Sequence, residues 1–329
     1  QGVNKEFLNQ NINYQYKFKK VFRGNSQLMK LFSPKFLYRF FIKEEYDILV
    51  SYLEGPTARI ISGCTQPKTK KIAWIHIELN DHKKASVGFR NWNEAVRAYE
   101  KYDKIIGVSE NVVACFKKNM TDRIPSQVLY NTNETVLIKE LSQEAIDIEF
   151  NKNVINICSV AKIVKTKGFD RLLIAHRKLL DEGFPHCINI LGVGEESTNL
   201  ERKIKELKVQ NSFKLLGFHK NPYKYMSKCD LYVCSSHVEG FSTAVSEALI
   251  LGIPVVSTNC SGAYELLGRH NDYGIVTENS TEALYDGIKE MLGDPDKLLF
   301  YKQQAAIRGG FFSKENTVEA VEKLLDELQ

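Results

Sequence analysis

The stretch from Asp230 to Ser257 constrains the fold of this chain more than any other part of the sequence. Residues 230–234 (Asp-Leu-Tyr-Val-Cys) are a short apolar run between polar residues, which predicts a buried parallel strand. Apolar residues then recur at helical spacing over 244–249, Gly252 ends that helix, and Pro254 opens a second strand. The pattern therefore predicts strand, tight turn, helix and strand, which is the building unit of an open α/β sheet.

The turn between the first strand and the helix has the features of an anion site. Gly240 allows close approach of the backbone, and the amides of Phe241, Ser242 and Thr243 are left unpaired at the start of the helix. Free N–H groups and the helix dipole attract phosphate at such an end. We therefore expect a phosphate-bearing ligand here.

Two carboxylates flank this turn. Glu239 precedes the helix, at the carboxyl end of the predicted strand, and Glu247 lies one turn beyond Thr243. Two glutamates eight positions apart are common on half-exposed helices, so their spacing alone does not indicate a function. The whole string, E-G-F-x5-E-A-x3-G-x-P-V-V at 239–256, resembles the E-x7-E motif of the family 4 retaining glycosyltransferases.

The resemblance implies an α/β protein of the GT-B architecture, with two Rossmann-like domains whose parallel sheets face an interdomain cleft. Residues 1–149 would form an acceptor-binding domain and residues 150–312 a nucleotide-sugar-binding domain. A helix at 313–329 would pack back on the first domain. The alternation of strand and helix signals along the chain independently favours parallel sheets.

Two lysines are expected at the donor diphosphate. Residues 160–170 resemble the family segment V-G-R-x4-K-G-x-D, in which the arginine and the lysine contact the diphosphate. Lys167 matches the family lysine, whereas Ala161 replaces the glycine and Lys162 the arginine. A lysine keeps the charge but lacks the bidentate fork of a guanidinium. Lys165 is interpreted as a solvated surface charge.

Further donor contacts follow from the same resemblance. Gly192 and Gly194 match a G-x-G turn, which alone is a weak signal and lacks the downstream acid of a dinucleotide fingerprint. Gly217, Phe218 and His219 resemble the segment whose backbone meets the nucleotide base, although the ring of Phe218 could equally belong to the core.

His76 is the candidate from the first domain. It ends an apolar strand run at 71–77, where a lone histidine is usually a satisfied structural residue. It also resembles the histidine that reaches the donor sugar in many family 4 enzymes. We therefore count it with Glu239 and Lys167 as a catalytic candidate.

The resemblance implies transfer of a hexosyl or N-acetylhexosaminyl group, with retention, from a nucleotide sugar (a UDP-sugar is favoured) to a saccharide or lipid-linked acceptor in polysaccharide biosynthesis. Glu247 would hold the ribose and Glu239 the sugar hydroxyls, while the departing phosphate would assist deprotonation of the acceptor. No D-x-D cluster occurs in the segments that resemble the family motifs, so neither a metal nor another cofactor is expected. A sugar-nucleotide epimerase of the same fold and a non-catalytic nucleotide-sugar-binding subunit are the alternatives.

Charge and cysteine content limit the remaining classes. A formal net charge of +5 over 329 residues is too small to indicate nucleic-acid binding. The seven cysteines are odd in number and scattered, which is typical of core residues in a reducing cytoplasm. We expect a cytoplasmic protein that works at the inner face of the membrane.

Residues 11–43 contain eight basic residues and no acidic ones, interleaved with aromatic and aliphatic residues. This composition fits a surface that lies on an anionic membrane, and equally a core-facing helix with a solvated basic face. A first strand is predicted at about 12–18, followed by a helix rather than by the glycine-rich loop that the family usually places there. We therefore expect a truncated N-terminus, an exposed edge on the first sheet, and a chain that binds nucleotide but transfers sugar poorly.

Overall fold

Alternating strands and helices build two sheets in the computed structural model, which describes residues 11–16 and 24–328. The chain divides into two compact units. The first comprises Gln1–Ile106 and Val113–Gln127, and the second comprises Gly107–Val112 and Val128–Gln329. The strands pair in parallel in both sheets, so the predicted α/β class is confirmed.

The first sheet has the strand order β1-β2-β3-β4 among the described residues. Its buried strand residues are mostly apolar, and Ser109 caps the helix that begins at Glu110, because Ser109 Oγ accepts from the amide of Val112 at 3.2 Å. The elements up to the fourth strand are α1 (Asn25–Met29), α2 (Pro34–Phe41), β1 (Ile48–Ser51), α3 (Pro56–Ile61), β2 (Lys70–Ile75), α4 (His82–Ala85), α5 (Trp92–Tyr99), β3 (Lys104–Gly107), α6 (Glu110–Asn119) and β4 (Ser126–Val128).

The second sheet has six strands in the order β10-β9-β8-β5-β6-β7. Renumbered from β5, this is the order 3-2-1-4-5-6 of dinucleotide-binding folds. Its elements are α7 (Thr135–Ser142), β5 (Ile155–Val160), a 3-10 turn (Lys165–Lys167), α8 (Phe169–Asp181), β6 (His186–Leu191), α9 (Ser197–Glu206), β7 (Phe213–Gly217), α10 (Tyr223–Met226), β8 (Leu231–Cys234), α11 (Thr243–Ile250), β9 (Val255–Thr258), α12 (Ala263–Leu267), β10 (Ile275–Thr277), α13 (Thr281–Gly293), α14 (Pro295–Phe311) and α15 (Lys314–Asp326).

The core of the second unit lies between this sheet and helices α8 and α13. Leu172, Leu173 and Leu179 of α8 are at most 1% exposed and pack in one cluster with β-strand residues such as Ile157 and Val233. The central strands are buried along almost their whole length because helices cover both faces of a parallel sheet. This packing fixes the strand ends from which the candidate site is built.

One sequence-based expectation differs from the structure, one helix was not predicted, and one expectation is not tested by the structure. A strand at 12–18 is wrong for residues 12–16, which have no regular structure, and residues 17–18 lie outside the described residues. Helix α14 went unpredicted, although Asp294 caps it and Pro295 occupies its first turn. The truncation of the N-terminus stays a prediction.

The boundary between the two compact units lies at residue 128, earlier in the chain than the predicted boundary at residue 149. Helix α7 belongs to the second unit, since it packs on α10 and α11 and Asn221 Nδ2 donates to the carbonyl of Leu141 at 2.9 Å. Helix α15 belongs to this unit too, and Lys314 pairs with Glu134 at 2.9 Å. The predicted domain limits, and the packing of 313–329 on the first domain, stay predictions.

The seven cysteines all lie within the described residues, where they are free, and six of them are buried. This agrees with their interpretation as core residues. In the described part of the chain, no helix is both long enough and apolar enough to span a bilayer.

Two buried histidines form a directional hydrogen-bond chain below the second sheet. His176 Nδ1 lies 2.8 Å from His186 Nε2, and His186 Nδ1 lies 2.8 Å from the carbonyl of Phe184. A carbonyl only accepts, so His186 carries its proton on Nδ1 and accepts at Nε2 from His176. Ser212 Oγ, 2.9 Å from His176 Nε2, then donates to that nitrogen. Burial, with His186 and Arg177 nearby, lowers the pKa of His176 to about 3.

This pair should make the fold acid-sensitive. The imidazole has a pKa of about 6.5 in the unfolded chain, so between pH 6.5 and 3 the unfolded chain binds a proton that the folded chain does not. The free energy of unfolding is therefore highest above pH 6.5 and decreases as the pH falls toward 3. At pH 5 the loss from His176 is about 2 kcal/mol. In urea unfolding at pH 7.5 and 5.0, His176→Gln should reduce the difference between the two pH values by about this amount. The exposed His270 provides the control, since His270→Gln should leave the pH difference unchanged. An equal pH difference in His176→Gln and the original chain would contradict the assignment.

Candidate functional site

The candidate site lies where the second sheet reverses its strand order. Strands β5 and β8 are neighbours, and the loops after them lead to helices on opposite faces, which leaves a crevice at their carboxyl ends. A cavity of about 320 Å³ occupies this place. Polar side chains from both loops line it: Lys162, Lys167, Ser236, Glu239, Ser242 and Thr243.

Gly168 makes the close approach of these two loops possible. Its φ of +64° is left-handed, and a Cβ on it would lie 2.1 Å from the carbonyl oxygen of Ser235. The turn before it therefore lies directly against the loop after β8, where the amide of His237 donates to Thr166 at 2.8 Å. Any other residue at 168 would force the two loops apart.

Lys167 and Glu239 form an ion pair inside the cavity. Lys167 Nζ lies 2.6 and 2.8 Å from the two carboxylate oxygens of Glu239, and the side chains are 26% and 11% exposed. Ser236 Oγ donates to the same carboxylate at 2.5 Å. The lysine predicted to bind phosphate and the carboxylate predicted to bind sugar therefore lie side by side, and both line the cavity.

The N-terminus of α11 opens on this cavity, as the sequence predicted. Ser242 is the N-cap residue, yet its side chain makes no capping hydrogen bond. The first amides of the helix, including that of Thr243, are thus left to bind another acceptor. Together with the helix dipole, these amides would attract an anion to the same cavity that the two lysines line.

Phe241 contributes its backbone to this site and its side chain to the core. The ring is 6% exposed and stacks on Tyr130, with ring centroids 5.1 Å apart, and it packs edge-on against Phe312. Gly240 precedes it and is not among the glycines with positive φ. The buried ring anchors the turn that carries the free amides.

Glu247 lies deeper along α11 and faces Tyr223. The tyrosine hydroxyl donates to Glu247 Oε1 at 3.0 Å, which places the start of α10 beside the second turn of α11. Burial raises the pKa of the Glu247 carboxyl to about 7, against the lowering effect of the Tyr223 hydrogen bond. This carboxyl therefore titrates near neutral pH, and its second oxygen makes no hydrogen bond within the described part of the chain.

The structure separates the other predicted donor residues into two groups. Lys162 is exposed and lines the cavity. Gly192 and Gly194 instead serve packing, because a Cβ on them would lie 1.9 Å from the carbonyl oxygen of Ala161 and 2.0 Å from that of Ile163. Their space is taken by protein backbone, and the amide of Ile163 donates to Val193 at 3.1 Å.

The segment 217–219 follows β7 at the same carboxyl edge of the sheet. Gly217 has a φ of +80°, and its carbonyl accepts from the amide of Gly192 at 2.8 Å. The ring of Phe218 is 72% exposed, so its interpretation as a core residue is wrong. His219 Nε2 bonds to the carbonyl of Leu216 at 2.9 Å and its ring packs on Tyr225. None of the three lines the 320 Å³ cavity.

His76 belongs to the first unit and is described with its own neighbours. It follows the carboxyl end of β2, its ring lies 4.8 Å from that of Tyr52, and Glu54 Oε1 accepts from its amide and, at 3.0 Å, from that of Ile77. Burial lowers the pKa of the imidazole, against the effect of Glu54 and of the Tyr52 backbone. Its buried Nε2 has no hydrogen-bond partner in the described chain, so this nitrogen is available to a ligand.

Arg171 is the residue of this site that sequence reasoning missed. Its guanidinium is 3% exposed, donates through Nε to the carbonyl of Ser235 at 2.7 Å and through Nη2 to that of Ser236, and reaches Asn279 Oδ1 at 2.7 Å. Asn279 in turn donates to the carbonyls of His237 and Asn259. The signal was present, since Arg171 lies among the apolar positions of α8 that face the core.

Comparison with known proteins agrees with this geometry. The family described as Glycosyl transferases group 1 matches residues 142–308, which include the whole cavity. An N-acetylgalactosamine-N,N'-diacetylbacillosaminyl-diphospho-undecaprenol 4-alpha-N-acetylgalactosaminyltransferase of Campylobacter jejuni is 34% identical over 285 residues, covering 84% of this chain and 72% of the relative.

Solved glycosyltransferase structures share the fold. HepE of Anabaena, in complex with UDP, superposes with a TM-score of 0.73 at 18% identity over 89% of this chain and 82% of its own. TarM of Staphylococcus aureus, in a complex that contains UDP, superposes with a TM-score of 0.70 at 18% identity, covering 89% of this chain and 58% of its own. The GT-B architecture is therefore confirmed, and the chain belongs to the Glycosyl transferases group 1 family.

Proposed function

We propose that this chain transfers a hexosyl or N-acetylhexosaminyl group, with retention of configuration, from a UDP-sugar to a saccharide or lipid-linked saccharide acceptor. One observation carries the proposal. The uncapped N-terminus of α11, Lys167 and Lys162 converge on a single cavity at the strand-order reversal of the second sheet. Amides and lysines together match the charge of a diphosphate, and the cavity lies where α/β sheets of this order bind nucleotides.

The residues take distinct roles in binding the donor. Lys162, Lys167 and the amides around Thr243 hold the diphosphate, and Glu247 accepts hydrogen bonds from the ribose hydroxyls. Glu239 accepts from hydroxyls of the transferred sugar, after the donor's phosphate has drawn Lys167 away from it. The segment 217–219 meets the base through its backbone. The side chains that surround the diphosphate supply cations directly, so we propose that no metal ion takes part.

The reaction exchanges one bond for another at the anomeric carbon. The bond from this carbon to the diphosphate oxygen breaks, and a bond to the acceptor hydroxyl oxygen forms on the same face of the sugar. The acceptor proton passes to the departing phosphate oxygen, which is the nearest base on that face. The helix amides and lysines stabilise the negative charge that develops on the diphosphate, which lowers the barrier without a nucleophilic carboxylate.

The names of related proteins support the partners. The Campylobacter jejuni relative is named for an α-linkage and a diphospho-undecaprenol acceptor, and two structural neighbours were solved with UDP. An α-linked nucleotide sugar that yields an α-linked product has reacted with retention. We therefore place this chain in the biosynthesis of a cell-surface or lipid-linked polysaccharide, at the cytoplasmic side of a membrane.

The nucleotide specificity can be tested by thermal unfolding with UDP-, GDP- and ADP-hexoses. A ligand that binds only the folded state, at a concentration 100 times its Kd, stabilises the protein by about 2.7 kcal/mol. We therefore expect that UDP-sugars raise the melting temperature and that GDP- and ADP-sugars do not. NMR of the product formed with a lipid-linked oligosaccharide should then show the anomeric configuration of the donor. A donor altered without acceptor would indicate an epimerase, and binding without any turnover would indicate a non-catalytic subunit.

The lysine roles predict a selective loss of affinity. Lys167→Ala and Lys162→Ala should each weaken the binding of UDP roughly tenfold or more, because each removes a charge-assisted hydrogen bond. The binding of uridine should change far less, because uridine has no phosphate. Lys162→Arg should bind UDP at least as well as the original chain. Calorimetry provides the measurement.

Lys165 is the matched control for these variants. It is an exposed lysine in the same turn but does not line the cavity. Lys165→Ala should leave UDP affinity unchanged. Equal losses of UDP affinity in Lys165→Ala and Lys167→Ala would show that the lysines act only through a general electrostatic attraction. This result would contradict the assignment.

The role proposed for Glu247 predicts that the affinity for the nucleotide sugar depends on pH. Ribose hydroxyls donate to the charged carboxylate, so binding should strengthen as the pH rises from 6 to 8 through the pKa of about 7, by roughly tenfold at most. Glu247→Gln should weaken binding by about 1–3 kcal/mol at pH 8 and remove the pH dependence. UDP-glucose is the suitable ligand, because its diphosphate is esterified at both ends and has no group that titrates in this range. Glu265, another carboxyl whose pKa burial raises, is the control, and Glu265→Gln should keep the original profile. A flat profile in the original chain would exclude Glu247 from the ribose site.

A further inference from the structure

We propose that the first unit binds the surface of an anionic phospholipid bilayer through the α1–α2 aromatic face. This face consists of exposed apolar side chains at the end of α1, in the connection and along α2: Leu28, Leu31, Phe32, Phe36 and Phe40. The inference is independent of the sugar-transfer chemistry, since it rests on residues of the first unit alone.

The side chains of the face form a continuous apolar ladder. Phe32, in the connection before α2, stacks on Phe36 with ring centroids 5.0 Å apart. Phe36 and Phe40, four residues apart on α2, continue the stack at 6.4 Å. The three rings are 41–50% exposed and Leu31 is 73% exposed. The opposite side of α2 already has its core contacts, because Leu37 and Tyr38 are buried.

The corner that presents this face is held by buried ionic hydrogen bonds. Arg59 is fully buried, pairs with Glu94 at 2.9 Å, and donates to the carbonyls of Met29 at 2.8 Å and Phe32 at 2.7 Å. Arg90 Nε donates to the carbonyl of Lys30 at 2.6 Å. These donors satisfy the last carbonyls of α1, which a short helix cannot satisfy itself. The exposed rings therefore belong to a fixed part of the fold.

The charges around the face select an anionic partner. Lys35 and Arg39 are exposed one position from Phe36 and Phe40 along α2, so a row of cations runs beside the row of rings. Lys43 follows after the helix, and no acidic residue occurs between 24 and 43. Neither helix cation has an ion pair within the described residues.

Aromatic rings beside unpaired cations match the interfacial region of an anionic bilayer. The rings enter the boundary between headgroups and acyl chains, and the cations remain at the level of the phosphates. A second exposed apolar pair on α14, Leu299 and Phe300, has both acidic and basic neighbours in the sequence: Asp294, Asp296, Lys297 and Lys302. The opposite charges balance there, so this pair provides a control of similar exposure without a net positive charge.

The experiment measures binding of the full chain to vesicles of phosphatidylcholine alone and with 30 mol% phosphatidylglycerol, by co-sedimentation at low and high salt. Binding should require phosphatidylglycerol and should fall on going from 0.1 M to 1 M salt, where the Debye length shrinks from about 10 Å to about 3 Å. Lys35→Ala with Arg39→Ala should weaken binding about fivefold for each cation removed. Phe36→Ser with Phe40→Ser should weaken it about tenfold or more. Leu299→Ser with Phe300→Ser should bind like the original chain.

Each other outcome overturns the proposal. Equal binding by the α2 ring variant and the original chain, with unchanged thermal unfolding in both, would show that the face does not meet lipid. Equal affinity for neutral and anionic vesicles would remove the role of the cations. If light scattering shows a dimer that the α2 ring variant dissociates, and no vesicle binding occurs, the face is a contact between two copies of this chain.

Discussion

The candidate site depends on the buried guanidinium of Arg171. Withdrawal of this cation from water is costly, and desolvation lowers its pKa, yet its described partners are neutral oxygens of carbonyl, amide and hydroxyl groups. Those hydrogen bonds fix the carbonyls of Ser235 and Ser236 at the point where β8 ends. The chain must then turn there, and the turn determines where Glu239 and the first amides of α11 lie. A buried charge that binds backbone thus positions the side chains and amides that would bind the ligand.

Much of the second unit could be predicted from the sequence, because strand and helix signals are local. The strands near 154–161, 186–191 and 254–257, and the free helix end after Phe241, need only apolar runs, glycines and a helical repeat. The contact partners of buried polar groups could not be predicted in this way. The Arg171 contacts join positions up to 108 residues apart, and the tyrosine that meets Glu247 is 24 residues away. Such pairs exist only after the sheet has brought the loops together.

The ion pair of Lys167 with Glu239 gives the cavity an electrostatic balance. A lysine with two carboxylate oxygens at hydrogen-bond distance has little attraction left for distant anions, whereas the helix amides keep theirs. A phosphate would therefore meet the helix end first and the lysine second. Glu239 would become free to accept hydroxyl groups only once that phosphate has arrived. The same two side chains thus link the binding of the charged part of a ligand to that of its neutral part.

Gly192 and Gly194 show how packing alone can require a glycine motif. Both positions are filled by the backbone of residues 161–163, at distances that exclude any side chain. Saturation mutagenesis of this chain would therefore find both positions intolerant whether or not a ligand is bound. Intolerance at a glycine of this fold thus has two possible sources, the packing of neighbouring loops and the recognition of a ligand, and the position of the absent Cβ identifies the first.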